Sequence, residues 1–298
     1  MRSAPERRAG TGTRLPRGRE AAGGRSRSCG RAQGGLSGKN LTALHPDTAS
    51  GASCSGGGFF TDSVYSAFAE TGLLAVAGLA GAIFLRRDFR MGWFLAALAI
   101  SLIYAALLTR GFWQLPDPFA GQRWNWAGKG LAIAGTLAIM SLPAFGWRRC
   151  GMTLDQGAHW RWPLGVLMGL VVLILGLSVY FGEGQAAGAN TVAFQWTMPG
   201  FDEELYYRGT LLLALNEAFR SRIRVLGAPI GYGGLLATFA FGLTHALSIR
   251  GGEVSFDIMA MAMTGVPALI LLWMRERTGS LLMPVIGHNA ANGIPVLF

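Results

Sequence analysis

An all-α fold, a polytopic membrane bundle of about eight transmembrane helices, is what this sequence predicts, and three observations predict it. Half of the residues are hydrophobic (51%) and only 14% are charged, the balance of a chain solvated by lipid rather than by water. Apolar windows of roughly 18 to 20 residues, long enough to cross a hydrocarbon core of about 30 Å, recur along it. They are rich in Leu, Ala and Gly and lack the alternation of outer-membrane strands, which selects helices over a barrel.

The chain opens with residues 1–58, which differ in kind. Residues 1–40 hold ten Arg or Lys against two acids, so this segment supplies most of the formal net charge of +10. Gly, Ser and Arg dominate, no apolar stretch could seed a core, and a disordered basic tail is expected. It has no secretory h-region, although its Arg- and Ser-rich, acid-poor make-up loosely resembles a transit peptide. A misassigned start is a further reading, with translation beginning downstream at a codon now read as Val64. The apolar windows then run 64–85, 91–109, 130–147, 164–181, 191–218, 226–249, 256–274 and 279–297. Residues 64–190 thus form an N-terminal group of transmembrane helices, and 191–298 a second part in which the intramembrane charge collects. Cys29, Cys54 and Cys150 show neither a disulfide framework nor a zinc knuckle, and no Walker loop, dinucleotide fingerprint or fixed-period repeat is present.

Loop charge sets an expected orientation. Arg86, Arg87, Arg90, Arg148, Arg149, Arg161, Arg220, Arg222, Arg224, Arg275 and Arg277 fall on one set of loops, and Arg110, Arg123, Lys129 and Arg250 on the other. The richer side is expected to be cytoplasmic.

Within the fifth window, FDEELYYRG (Phe201–Gly209) puts three acids and an arginine into nine residues. Each ionisable group at the centre of a span costs about 2.5–3.5 kcal/mol on insertion scales unless it meets a partner or water. Glu204 and Arg208 are i, i+4, the favourable order for an ion pair. Glu203 is turned about 100° from Glu204 and faces elsewhere. Asp202 follows Pro199-Gly200, a break signal, and is expected at a helix start near the positive dipole end. Two later windows offer partners. His245 follows Phe241 by one turn in FAFGLTHAL, and His288 and Asn292 are i, i+4 in GHNAANG. A lone intramembrane histidine is as often a helix-to-helix hydrogen bond as a functional group, and a Glu-Arg pair is more often a packing clamp. Glu203, His245, His288 and Asn292 together could converge from three helices into one polar cavity.

These residues resemble a known set. EELYYR (Glu203–Arg208), then FGLTH (Phe241–His245), then HNAAN (His288–Asn292), together with GSLLMPVIGHNAANG (Gly279–Gly293), are similar to the CPBP family, the CAAX protease and bacteriocin-processing or Abi group that includes type 2 CAAX prenyl endopeptidases. The resemblance covers about 195–298 and implies an intramembrane protease, a hydrolase with 191–298 as its catalytic core. By position, Glu203 would be the general base that activates water, with Glu204 and Arg208 holding it in place. His245 would bind or polarise the water, and His288 with Asn292 would stabilise the oxyanion. The chemistry is compatible, since a carboxylate held out of bulk water is a stronger base and oriented donors contribute about 2.7–4 kcal/mol each.

The cofactor question stays open between none and zinc. The family is often labelled metalloprotease, and Glu203, His245 and His288 could hold zinc with a water position to spare, yet HExxH is absent and the ligands lie on separate helices. Expected partners are the lipid bilayer and a peptide or membrane-protein substrate, with no nucleic acid; the Ala-, Gly- and Arg-heavy composition points to a bacterial inner membrane. The competing function is a non-catalytic immunity or scaffold protein, or a proton-coupled carrier, since buried acids and histidines also build proton relays. Against a carrier, the polar residues crowd the C-terminal third, with no inverted-repeat symmetry.

Overall fold

A computed structural model describes residues 56–298, and the expected tail up to residue 55 lies outside the described residues. The described residues begin with α1 (Gly56–Phe84). The chain continues through α2 (Met91–Leu108), a single turn α3 (Arg110–Trp113) and α4 (Trp126–Ser141) to α5 (Arg161–Phe181). The polar window forms one helical rod: α6 (Ala189–Glu203), a π-helical segment (Glu204–Leu211) and α7 (Leu212–Ala218). A hairpin of β1 (Arg222–Val225) and β2 (Ala228–Gly231) leads into α8 (Tyr232–Ala246). A second hairpin, β3 (Leu247–Arg250) and β4 (Glu253–Phe256), leads into α9 (Ile258–Thr278), and α10 (Leu282–Gly293) closes the described chain before a 3₁₀ turn at Pro295–Leu297.

The protein is mostly helical, as the composition requires. Every one of the eight windows contains helix, but among the described residues four helical stretches are long and apolar enough to cross a membrane: Phe60–Phe84, Met91–Leu108, Arg161–Phe181 and Ile258–Thr278. The 226–249 window is cut short by hairpins at both ends. Both hairpins turn on a pair of residues with positive φ, Leu226-Gly227 and Gly251-Gly252, the geometry that matches strand twist in a two-residue loop. The first hairpin occupies the start of the 226–249 window and the second separates it from α9. Helices α8 and α10, of 15 and 12 residues, are set among other helices, where protein rather than lipid surrounds the backbone.

The core forms where small residues let helices approach. A Cβ on Gly78 of α1 would lie 2.3 Å from the Phe94 ring of α2, so the bare glycine is the notch that seats Phe94. On α2, Phe94, Ala97, Ile100 and Tyr104 form the buried stripe, spaced three and four apart as a helix face demands. Asn125 fixes the approach of α4: its Oδ1 accepts from Gly128 N at 3.0 Å and its Nδ2 donates to Leu108 O at 2.9 Å at the end of α2. The buried side of α4 reads Gly128, Lys129, Ala132, Thr136, Met140, an apolar stripe with one lysine in its first turn. By contrast α5 exposes Val172, Leu173, Leu175, Leu177 and Val179, a face suited to lipid.

Candidate active site

Pro199 does not break α6. The helix runs through it to Glu203, because α10 supplies what the proline disturbs: Asn289 Oδ1 accepts from Gly200 N at 2.8 Å. A Cβ on Gly200 would sit 2.4 Å from that Oδ1 and 2.8 Å from Val285 O, so α6 and α10 touch backbone to backbone here. The expected helix start at Asp202, with its dipole argument, is therefore corrected. Asp202 and Glu203 end α6 and Glu204 opens the π-helical segment, in the middle of a continuous rod. Wider turns of this kind re-aim side chains and recur at functional sites.

Consecutive acids point to different partners. Glu204, fully buried, accepts on Oε1 from Arg208 Nη1 at 2.9 Å and lies 2.7 Å from His288 Nδ1. Arg208 is itself buried, with its guanidinium 4.4 Å from the centre of the Phe241 ring, a cation–π contact that desolvation strengthens. From α9, Arg275 Nε donates to Arg208 O at 3.1 Å. Glu203 turns the other way, as the helical offset predicts. Its Oε1 is 2.9 Å from Lys129 Nζ, and its Oε2 is 3.6 Å from His288 Nε2 and 3.9 Å from His245 Nε2. Asp202 meets the same lysine at 2.9 Å and also accepts from Tyr104 OH at 2.9 Å.

The two imidazoles are aimed by the same device. His245 Nδ1 lies 2.9 Å from Phe241 O; a carbonyl only accepts, so Nδ1 carries the proton. His288 Nδ1 faces the Glu204 carboxylate, shared with Arg208, and donates for the same reason. Both Nε2 atoms are thereby turned toward Glu203 Oε2. The Phe241 ring lies beside both, 4.7 Å from His245 and 5.8 Å from His288 centroid to centroid, an apolar wall to the cluster.

Of the residues singled out in the sequence, Glu203, Glu204, Arg208, His245 and His288 are brought together. Asn292 Nδ2 instead donates to His288 O at 3.2 Å, within its own helix. Four neighbours escaped sequence reasoning: Lys129, Tyr104, Asn289 and the pairing of Asp202. Lys129, assigned above to loop charge, is buried on α4; its signal was a single lysine on an otherwise apolar stripe. Beside the cluster, a cavity of about 60 Å³ is lined by Glu70, Ser101, Tyr104, Tyr206, Tyr207 and Thr244, among others.

A catalytic zinc asks for three donors at about 2.0–2.2 Å from one point. Among the described residues no group of three or more His, Cys, Asp and Glu side chains is arranged to hold a metal ion.

Charged pairs from four helices, meeting around one carboxylate in the order EExxxR, FxxxH, HxxxN, coincide with a match to a known family. Residues 186–294 match the model of the type II CAAX prenyl endopeptidase Rce1-like family. The match is confined to this segment. It takes in a little over a third of the chain, and no curated protein and no solved structure matches. The Rce1-like segment carries Glu203, Glu204, Arg208, His245 and His288, whereas Tyr104 and Lys129 reach the cluster from α2 and α4, ahead of it.

Proposed function

We propose that the protein is an intramembrane endopeptidase in which Glu203 activates water to hydrolyse a peptide bond of a peptide or membrane-anchored protein, close to the surface of a bacterial inner membrane. The observation that carries this reading is the placement of Glu203 Oε2 at 3.6 and 3.9 Å from two Nε2 atoms whose rings are fixed through Nδ1. Those separations are too long for good direct hydrogen bonds, and one water placed beside them would join all three groups. A scaffold has no need for three groups aimed at one point, and the crowding of polar residues into the C-terminal third without inverted-repeat symmetry weighs against a carrier.

The reaction then runs through protein side chains. Glu203 takes a proton from water as its oxygen attacks the scissile carbonyl, and later gives that proton to the leaving nitrogen; general base catalysis of this kind contributes about 10²–10⁴-fold. His245 holds the water. His288, its ring held through Nδ1 by the Glu204 carboxylate, stabilises the oxyanion together with Asn292, one turn further along α10. Glu204 and Arg208 keep the rod and His288 in register.

The test is cleavage by the purified chain in lipid vesicles, using a prenylated CaaX peptide and bilayer-anchored peptides. Wild type cuts and Glu203→Gln does not; a Gln variant that still cuts ends the general-base assignment.

A further inference from the structure

Lys129 is 4% exposed on α4 and bridges two adjacent carboxylates, Asp202 Oδ2 and Glu203 Oε1, each at 2.9 Å. Asp202 is in turn held by Tyr104 OH at 2.9 Å, and Tyr104 stacks on Tyr206 with centroids 3.6 Å apart. A buried ammonium is tolerated only where it is paired and hydrogen-bonded, and a single clamp for the rod is already provided by Glu204 and Arg208. Three acids meet here, Asp202, Glu203 and Glu204, and Arg208 pairs with Glu204, so Lys129 is the cation shared by the other two. Because it occupies Oε1, the carboxylate plane of Glu203 is set and Oε2 is the oxygen presented to His245 and His288.

We propose that Lys129, tethered by Asp202 and Tyr104, is the positioning residue of Glu203, so that α2 and α4 complete the active site of the Rce1-like segment although they lie outside it. The proposal rests on the hydrolytic reading above. Lys129 touches no reacting atom in it; the lysine acts through Glu203. A displacement of the base by about 1 Å suffices for a 10²-fold loss.

Two measurements on the full chain in vesicles test this. In the first, Lys129→Met lowers kcat on the prenylated CaaX and bilayer-anchored peptides about 10²-fold with KM unchanged. Lys129→Arg, which keeps the charge, restores a substantial part, and Tyr104→Phe gives a smaller loss of kcat. In the second, which needs no substrate, a hydrophobic carbodiimide is applied, a reagent that attacks carboxyl groups only when they carry a proton in apolar surroundings. Wild type is unmodified at Asp202 and Glu203, whereas Lys129→Met is modified at one of them, mapped by mass spectrometry. An unmodified Lys129→Met protein, or one with wild-type kcat, overturns the proposal. Cleavage by Glu203→Gln would overturn the hydrolytic reading instead, leaving the carbodiimide result to report on the ion pair alone.

Discussion

Glu204 Oε1 and His288 Nδ1 lie 2.7 Å apart, joining the π-helical segment to α10. The same oxygen accepts from Arg208, so one carboxylate both neutralises a buried guanidinium and orients an imidazole. Removing it does two kinds of damage. Glu204→Ala leaves Arg208 buried without its counter-ion, which costs about 3–5 kcal/mol. A fall in the thermal unfolding midpoint, read on the purified protein, is the expected outcome, together with loss of cleavage; an unchanged midpoint would contradict the pairing.

Glu204→Gln separates those effects. The amide keeps the shape and its oxygen can still accept from Arg208, but it presents no negative charge to the His288 ring. Activity is expected to fall by about 10²–10³-fold, the range for loss of one oxyanion contact, with a smaller loss of stability than for Ala. Parallel kcat and unfolding measurements check it, and equal losses of stability in Ala and Gln variants would count against the role given to His288.

Gly200→Ala tests the backbone contact between α6 and α10. The added methyl would meet Asn289 Oδ1 at 2.4 Å and Val285 O at 2.8 Å, and overpacking of that kind destabilises by about 1–3 kcal/mol. It also moves α10, and with it His288, relative to Glu203. A lowered unfolding midpoint with reduced kcat is expected; Gly188→Ala, where a Cβ would meet nothing within 4 Å, is the control that should change neither.

Cys150 gives a pH dependence outside the spans. Burial pushes its thiol up to about 11, with Arg275 and then Arg149 pulling the other way. The folded value lies above the ordinary value of 9.0, so the folded state holds its proton more tightly than the unfolded state. The associated stability is complete below about pH 9 and is lost as pH rises through about 11. Alkylation of Cys150 by iodoacetamide, mapped by mass spectrometry, should be slower than that of free cysteine at pH 8 and accelerate toward pH 11, since the thiolate is the nucleophile. Rapid labelling at pH 8 in the folded protein would contradict the burial.

The sequence made the membrane character and the acid-histidine cluster legible because charge in an apolar window is conspicuous. Glu203, His245 and His288 stood out against residues that needed no explanation. What stayed hidden depended on partners distant in the chain. Pro199 reads as a break in isolation and is bridged only because Asn289 faces Gly200 from α10. Lys129 reads as loop charge because GKG begins an apolar run; its burial follows from where α4 packs. The hairpins at Leu226-Gly227 and Gly251-Gly252 were obscured by the apolar residues around them, which hydropathy alone joins into longer spans.

The most direct measurement is a comparison of membrane peptides from cells producing the wild-type chain or Glu203→Gln at equal abundance, with Gly188→Ala as the folded control. The account predicts at least one product peptide that is present with wild type and the control and lost with the Gln variant. Identical peptide profiles, with the Gln protein folded and in the membrane, or a product that persists in its presence, would contradict it.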